Sequence, residues 1–297
     1  MSAPQPLSVL AATDFSEDAG HAIARAAMLA AGLPARLSLL HVVSASMLGA
    51  LRAMFGGNGP QDAEKRMIEE ARQTLQALAA MLGSLDGEVG CEVRVGKVVD
   101  EVLAVAAQHD LLVLGPRGSN PLRDLILGTT AERLLAKSMR PVLVARQPAR
   151  EPYRQVAVAM DFSPDSVAAL RAAALLAPGA ELAAVHAFDL PFEGKLLAAG
   201  IREDEIQHYR AQARQEAMRG IERAASEAGL DPLRVSRVVQ QGHAGRTVLE
   251  QAEHLGADLI VLGKHGESGL EEIMLGSVTR HVLSDAKCDV LVVRHAQ

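Results

Sequence analysis

Short apolar runs alternate with longer stretches in which apolar residues recur every three or four positions, and the alternation persists along the whole chain. Runs such as "LLVLG" at 111–115 and "LIVLG" at 259–263 are apolar at every position, as central parallel strands covered on both faces require. In the first half this pattern predicts strands at 8–13, 36–43, 89–95, 111–115 and 141–146, with helices at 16–32, 61–83, 98–108 and 123–138. In the second half a helix is expected over 244–255. A second helix there has Ile206, Tyr209, Ala213, Ala217, Ile221, Ala224 and Ala228 at steps of three and four, which reads as a core face. Strands separated by helices are the signature of βαβ units around a parallel sheet.

The chain also repeats itself. "SVLAATDFSEDAGHAIARAAMLA" (8–30) aligns with "QVAVAMDFSPDSVAALRAAALLA" (155–177). Further on, "DLLVLGPRGSNPLRDLILGTTAERLLAKSMRPVLVAR" (110–146) aligns with "DLIVLGKHGESGLEEIMLGSVTRHVLSDAKCDVLVVR" (258–294), the register shifting by a single residue. Between the copies, "RQPAREPYRQ" (146–155) carries Pro148 and Pro152 and reads as a linker. The expected domains are 1–149 and 150–297. The fold class is α/β: two tandem, doubly wound, five-stranded parallel-sheet domains with ligand sites at the switch point of each sheet.

Composition narrows the function classes. The formal charge is −6 and aromatic residues make up 2% of the chain, which opposes a basic footprint for nucleic acid and removes the usual base-stacking platforms. No apolar run reaches the length of a membrane span, and the start "MSAPQPLSVL" lacks the pattern of a signal peptide, so cytoplasmic residence is the expectation. Cys91 and Cys288 form no C-x-x-C pair and are expected to be small buried hydrophobes.

Each copy ends its first strand on an acid, Asp14 in "AATDFS" and Asp161 in "AVAMDFS". Such an acid either serves the ribose or an amine edge of a nucleotide, or caps the next helix by accepting a backbone N–H. The fourth strand then runs into Gly115-x-x-Gly118 and on to Gly128-Thr129, and the second copy has Gly263-x-x-Gly266 and Gly276-Ser277 at the same spacing. Glycines let the backbone approach phosphate oxygens, the Gly-Thr or Gly-Ser pair opens a helix whose free N–H groups favour an anion, and each hydroxyl adds a donor. Pro116 offers no N–H inside the first loop, with Arg117 and Arg123 nearby as positive charge. In the second, Glu267, Glu271 and Glu272 bring negative charge, which Lys264 and His265 partly offset. The two halves rank close to equal.

A strand-ending Asp with G-x-x-G-x9-G-[S/T] and a last apolar strand, "PVLVAR" or "DVLVVR", resembles the universal stress protein family over essentially the whole chain. The resemblance implies a fold like that of the adenine nucleotide alpha hydrolases and binding of ATP or another adenine nucleotide, with Mg2+. By that resemblance Asp14 and Val42 flank the adenosine, Gly115 lies against the sugar, and Gly118, Gly128, Thr129 and Thr130 hold the phosphates. The second copy supplies Asp161, Ala187, Gly263, Gly266, Gly276, Ser277 and Val278 at the matching positions. In single-domain members the last strands pair between subunits. The resemblance therefore implies an intrachain pseudo-dimer with pseudo-twofold symmetry, and leaves further dimerisation and an unidentified protein partner open.

Neither G-x-x-x-x-G-K-[S/T] nor a G-x-G-x-x-G after a strand occurs, so P-loop and Rossmann dehydrogenase readings lack support. No nucleophile, general base or metal-water site is evident, and the favoured function is nucleotide-dependent conformation or partner choice in stress response or signalling. A slow ATPase or phosphotransfer enzyme, or an interaction module with vestigial sites, remain the alternatives. The second copy's His186, His208, His243, His254, His265, His281 and His295 match no compact metal motif and read as scattered surface or supporting residues. Segments 44–60 and 188–204 are longer than ordinary βα loops. In the first, Met47, Leu48, Leu51, Met54 and Phe55 form either a lid or partner surface or a patch packed on its own domain.

Overall fold

The first apolar run forms strand β1 (Leu7–Thr13), and the chain then turns through Ser16 into helix α1 (Glu17–Gly32). The Ser16 hydroxyl accepts the Ala19 N–H, while Glu17 and Asp18 place negative charge at the positive end of the helix. In this computed structural model the described residues are 6–55, 60–83, 89–118, 127–189, 202–266 and 275–295. They fall into two units, Met1–Pro152 and Tyr153–Gln297.

Unit 1 continues with β2 (Ala35–Ser44), α2 (Ala45–Phe55), α3 (Pro60–Met81), β3 (Gly90–Gly96), α4 (Val98–Ala106), β4 (Leu111–Leu114), α5 (Thr129–Lys137) and β5 (Val142–Val144). Its strands are ordered β3-β2-β1-β4-β5 and every pairing is parallel. The chain moves outward from β1 to β2 and β3, then returns to the other side of β1 as β4, so the strand order switches between β1 and β4. Ligands collect beyond the carboxyl ends of strands at such a point. All four β4 residues are buried, as are Leu10, Leu39, Leu40 and Leu143, and burying each leucine is worth about 1.5–3 kcal/mol.

Unit 2 repeats the plan with β6 (Gln155–Ala159), α6 (Pro164–Leu176), β7 (Glu181–Phe188), α7 (Glu203–Glu227), β8 (Val235–Gln241), α8 (Ala244–Leu255), β9 (Leu259–Gly263), α9 (Ser277–Asp285) and β10 (Asp289–Val293). Its order is β8-β7-β6-β9-β10, again all parallel. Ser163 caps α6 as Ser16 caps α1, here with Pro164 preset for the first helical turn. Among the described residues no helix is long and apolar enough to cross a membrane.

Several expectations are corrected. The segment 44–60, read as longer than an ordinary loop, is helical over Ala45–Phe55; residues 56–59 lie outside the described residues. Leu48 is buried with Val43 and Ala71, while Met47 is half exposed; the side chains of Leu51, Met54 and Phe55 lie outside the described set. Of 188–204, residues 190–201 lie outside the described residues. Of the helix expected over 123–138, Thr129–Lys137 is helical and Gly128 before it is extended at φ −72°, ψ 149°; residues 119–126 lie outside the described residues. The last strand of unit 1 is shorter than 141–146, and Pro141, lacking an N–H, contributes only its carbonyl to Leu112. In the α7 stripe Tyr209 is exposed, whereas Ile206, Ala217, Ile221, Ala224 and Ala228 are buried. Cys91 is exposed on β3 at the sheet's edge, whereas Cys288 is buried.

Candidate functional site

The switch point of unit 1 is built around Asp14. Its Oδ1 accepts the Ser16 N–H at 3.1 Å and the Ser16 hydroxyl at 2.6 Å. Asp14 is therefore not the helix cap. Ser16 fills that role, and Asp14 holds Ser16 in place. The tight turn forces the intervening Phe15 to φ 65°, a conformation rare for a bulky side chain and worth about 1–3 kcal/mol of strain. Phe15 is thereby laid on the His41 ring, centroid to centroid 4.2 Å at 19°. His41 Nδ1 lies 2.8 Å from the Thr13 carbonyl, and since a carbonyl only accepts, Nδ1 carries the hydrogen.

The glycines close on this turn. A Cβ at Gly115 would lie 2.7 Å from the Asp18 carbonyl carbon and oxygen, so the end of β4 and the first turn of α1 touch backbone to backbone. At Gly118 a Cβ would come 2.6 Å from Asp14 Oδ2. The loop is pinned at its base by the Gly128 N–H donating to the Pro116 carbonyl at 2.7 Å. Pro116 thus serves through the one polar backbone group it has. Gly128 has no side chain with which to satisfy the first N–H groups of α5, and Thr129 and Thr130 open that helix exposed to solvent. Arg117 donates through Nε to Asp18 Oδ2 at 2.9 Å, which fixes the loop to α1 while leaving the arginine half exposed.

These parts border one cleft of about 620 Å³. All seven residues named from the first copy line it: Asp14, Val42, Gly115, Gly118, Gly128, Thr129 and Thr130. Phe15, His41, Met67, Ala71 and Thr74 line it too, and the sequence reading missed them. A signal was present: "DF" after the first strand and a histidine near the end of the second recur in both copies, as Phe15 with His41 and Phe162 with His186.

In unit 2, Asp161 Oδ1 accepts the Ser163 N–H at 3.0 Å and its hydroxyl at 2.6 Å, and Phe162 sits at φ 67°. A Cβ at Gly263 would meet Asp165 Cβ at 2.7 Å, and one at Gly266 would meet Asp161 Oδ2 at 2.9 Å. The Gly276 N–H donates to the Lys264 carbonyl at 3.1 Å, and Ser277 and Val278 begin α9, exposed and half-buried. Ala187 is half-buried near the end of β7, in the place Val42 holds on β2. Where Arg117 meets Asp18, His265 meets Asp165, with Nδ1 3.4 Å from Oδ2. Glu267, Glu271, Glu272 and, in unit 1, Arg123 lie outside the described residues.

Lys264 does not present its charge to the loop surface, because its side chain is buried at 2% exposure. Burial, with Arg294 nearby, lowers its pKa to about 8, and Asp165 opposes the shift. Between about pH 8 and 10.5 the unfolded chain carries more protons at this residue than the folded chain, so stability rises with pH through that window. Lys264→Met is expected to flatten that rise and to unfold at higher denaturant than the parent at pH 7. Urea titrations of both proteins at pH 7 and pH 9.5 check this, and parallel pH profiles would refute it.

The histidines of unit 2 have local roles. His186 donates through Nδ1 to the Met160 carbonyl at 2.8 Å, His243 and His281 meet edge to face at 5.9 Å, and His254 Nδ1 bonds the Glu250 carbonyl. Among the described residues no three His, Cys, Asp or Glu side chains are placed to hold a metal ion.

Known proteins share this plan. A universal stress protein of Mycobacterium tuberculosis is 29% identical over 255 residues, covering 80% of this chain and 79% of its own length. One from Mycolicibacterium smegmatis is 26% identical over 296 residues, 96% of each chain. The crystal structure of a universal stress protein from Archaeoglobus fulgidus covers 97% of this chain and 98% of its own, with a TM-score of 0.71 at 19% identity, a likeness of fold. The profile of the Universal stress protein family matches residues 7–146 and again residues 152–294, and the chain belongs to that family as a tandem of two of its domains.

Proposed function

We propose that unit 1 binds an adenine nucleotide, ATP in the first instance, and that occupancy alters conformation or partner choice in a stress or signalling response. The observation that carries this reading is the single cleft shared by Asp14, Val42 and the glycine loop at the switch point. Its volume suits a ligand of nucleotide size. The lining from β2 and α3 is largely apolar, with Val42, Met67 and Ala71 beside the Phe15–His41 stack, and suits a base. The lining from the loop after β4 and the start of α5 offers glycine backbone, two threonines and helix N–H groups, and suits phosphates. Asp14 Oδ2, facing Gly118, stands between the two regions and suits the ribose.

The adenine nucleotide should stabilise the folded protein. A ligand bound only to the native state adds RT ln(1 + [L]/Kd), about 2.7 kcal/mol at a hundredfold excess over Kd. Thermal unfolding in millimolar ATP with magnesium is therefore expected to shift upward, with GTP giving a smaller shift. An unchanged transition would refute the reading.

A further inference from the structure

The two units differ where the base of a nucleotide would sit. In unit 1 the Phe15 and His41 rings are nearly parallel and Phe15 is 36% exposed. In unit 2 the Phe162 and His186 centroids are 4.6 Å apart at 33°, and the Phe162 ring leans on helix α7: a Cβ at Gly220 would lie 2.7 Å from its Cε1 and 2.8 Å from its Cζ. Gly220 is buried in the interior of α7, where glycine costs about 1 kcal/mol against alanine. Its lack of a side chain makes a notch for the ring.

Unit 1 has no such notch. Ala71 and Leu75 are buried on α3 as Ala217 and Ile221 are on α7, which puts Thr74 at the position of Gly220. Thr74 lines the unit 1 cleft, its hydroxyl donating to the Glu70 carbonyl at 2.8 Å. Unit 1 thus carries a side chain at the helix position that α7 leaves bare for the ring. The phosphate ends differ in the same direction. Arg117 is a permanent cation on Asp18, and a histidine, His265, stands against Asp165 in its place.

We infer that Phe162, seated in the Gly220 notch, fills the base subsite of unit 2, so that the chain takes one adenine nucleotide and takes it in unit 1. The inference rests on the proposed nucleotide reading of unit 1. Unit 2 then keeps the glycine cradle as a structural element, with its aromatic ring in the place of the base.

Calorimetric titration with ATP and magnesium is expected to give one nucleotide per chain for the parent and two for Phe162→Ala. Two per chain in the parent, or one in a Phe162→Ala variant whose circular dichroism matches the parent, would overturn the inference. Photolabelling of the unaltered protein with 8-azido-ATP gives a reading that needs no variant. Labelled peptides are expected from 1–152, and labelled peptides from 153–297 would overturn it. A count of zero in both proteins would refute the nucleotide reading itself, and the inference with it.

Discussion

Gly118→Val is expected to weaken ATP binding by at least about tenfold, equivalent to about 1.4 kcal/mol, without unfolding the protein. A Cβ at this position would lie 2.6 Å from Asp14 Oδ2, so the valine must displace either the carboxylate or the loop. Displacing the carboxylate disturbs the proposed ribose contact, and displacing the loop disturbs the proposed phosphate contact. Both losses fall on the ligand, because the nearest obstacle is the end of a side chain rather than core backbone. Gly266→Val, which meets Asp161 Oδ2 at 2.9 Å, is the matched control. With the base subsite of unit 2 filled by Phe162, it should leave the ATP count and affinity as in the parent. Isothermal titration of both variants, with circular dichroism to confirm the fold, decides the matter. Parent-like affinity in Gly118→Val would show that the loop does not touch the ligand.

Gly115→Ala should act on the fold instead, destabilising unit 1 by about 1–3 kcal/mol through overpacking. The added methyl would meet the carbonyl group of Asp18 at 2.7 Å and the Ala19 nitrogen at 3.0 Å, all backbone of the first turn of α1. These atoms cannot swing aside, and α1 packs on both β1 and β4. A Gly→Ala change usually stabilises by reducing unfolded-chain entropy where the native site tolerates it, so the expected sign here is opposite to the general trend. Gly20→Ala supplies the contrast. Gly20 lies inside α1 with nothing within 4 Å of a Cβ, and alanine there should stabilise by about 0.5–1 kcal/mol. Urea unfolding of the two variants should move in opposite directions from the parent, and a Gly115→Ala midpoint equal to or above the parent would contradict the packing account.

The sheet and its switch point were legible because the chain states them twice. A strand run such as 111–115, apolar at every position, has few alternatives when its copy recurs at 259–263 in the same context. The glycine spacing led to residues that lie together, although the sequence supplied only part of their reason. Gly118 was read for backbone approach to phosphate, and its nearest neighbour proves to be Asp14, more than a hundred residues earlier, a contact that no local pattern encodes. The Phe15–His41 stack depends on a left-handed turn at a non-glycine residue, which propensity argues against. Lys264 was read as positive charge offsetting the glutamates of its loop, but it is buried directly after β9, where its N–H donates to the Val293 carbonyl of β10, a position that only the assembled sheet defines. Tyr209 fell on the helical stripe yet is exposed between the buried Ile206 and Ala217, which the spacing alone does not distinguish.

The most direct measurement is a crystal structure of the protein grown with saturating ATP and magnesium. The account predicts nucleotide in the unit 1 cleft, its base beside Phe15 and His41, its ribose at Asp14, and its phosphates at Gly118, Gly128 and the Thr129 and Thr130 amides. Nucleotide bound elsewhere, or a unit 1 cleft without it at concentrations that fill any millimolar site, would contradict the account.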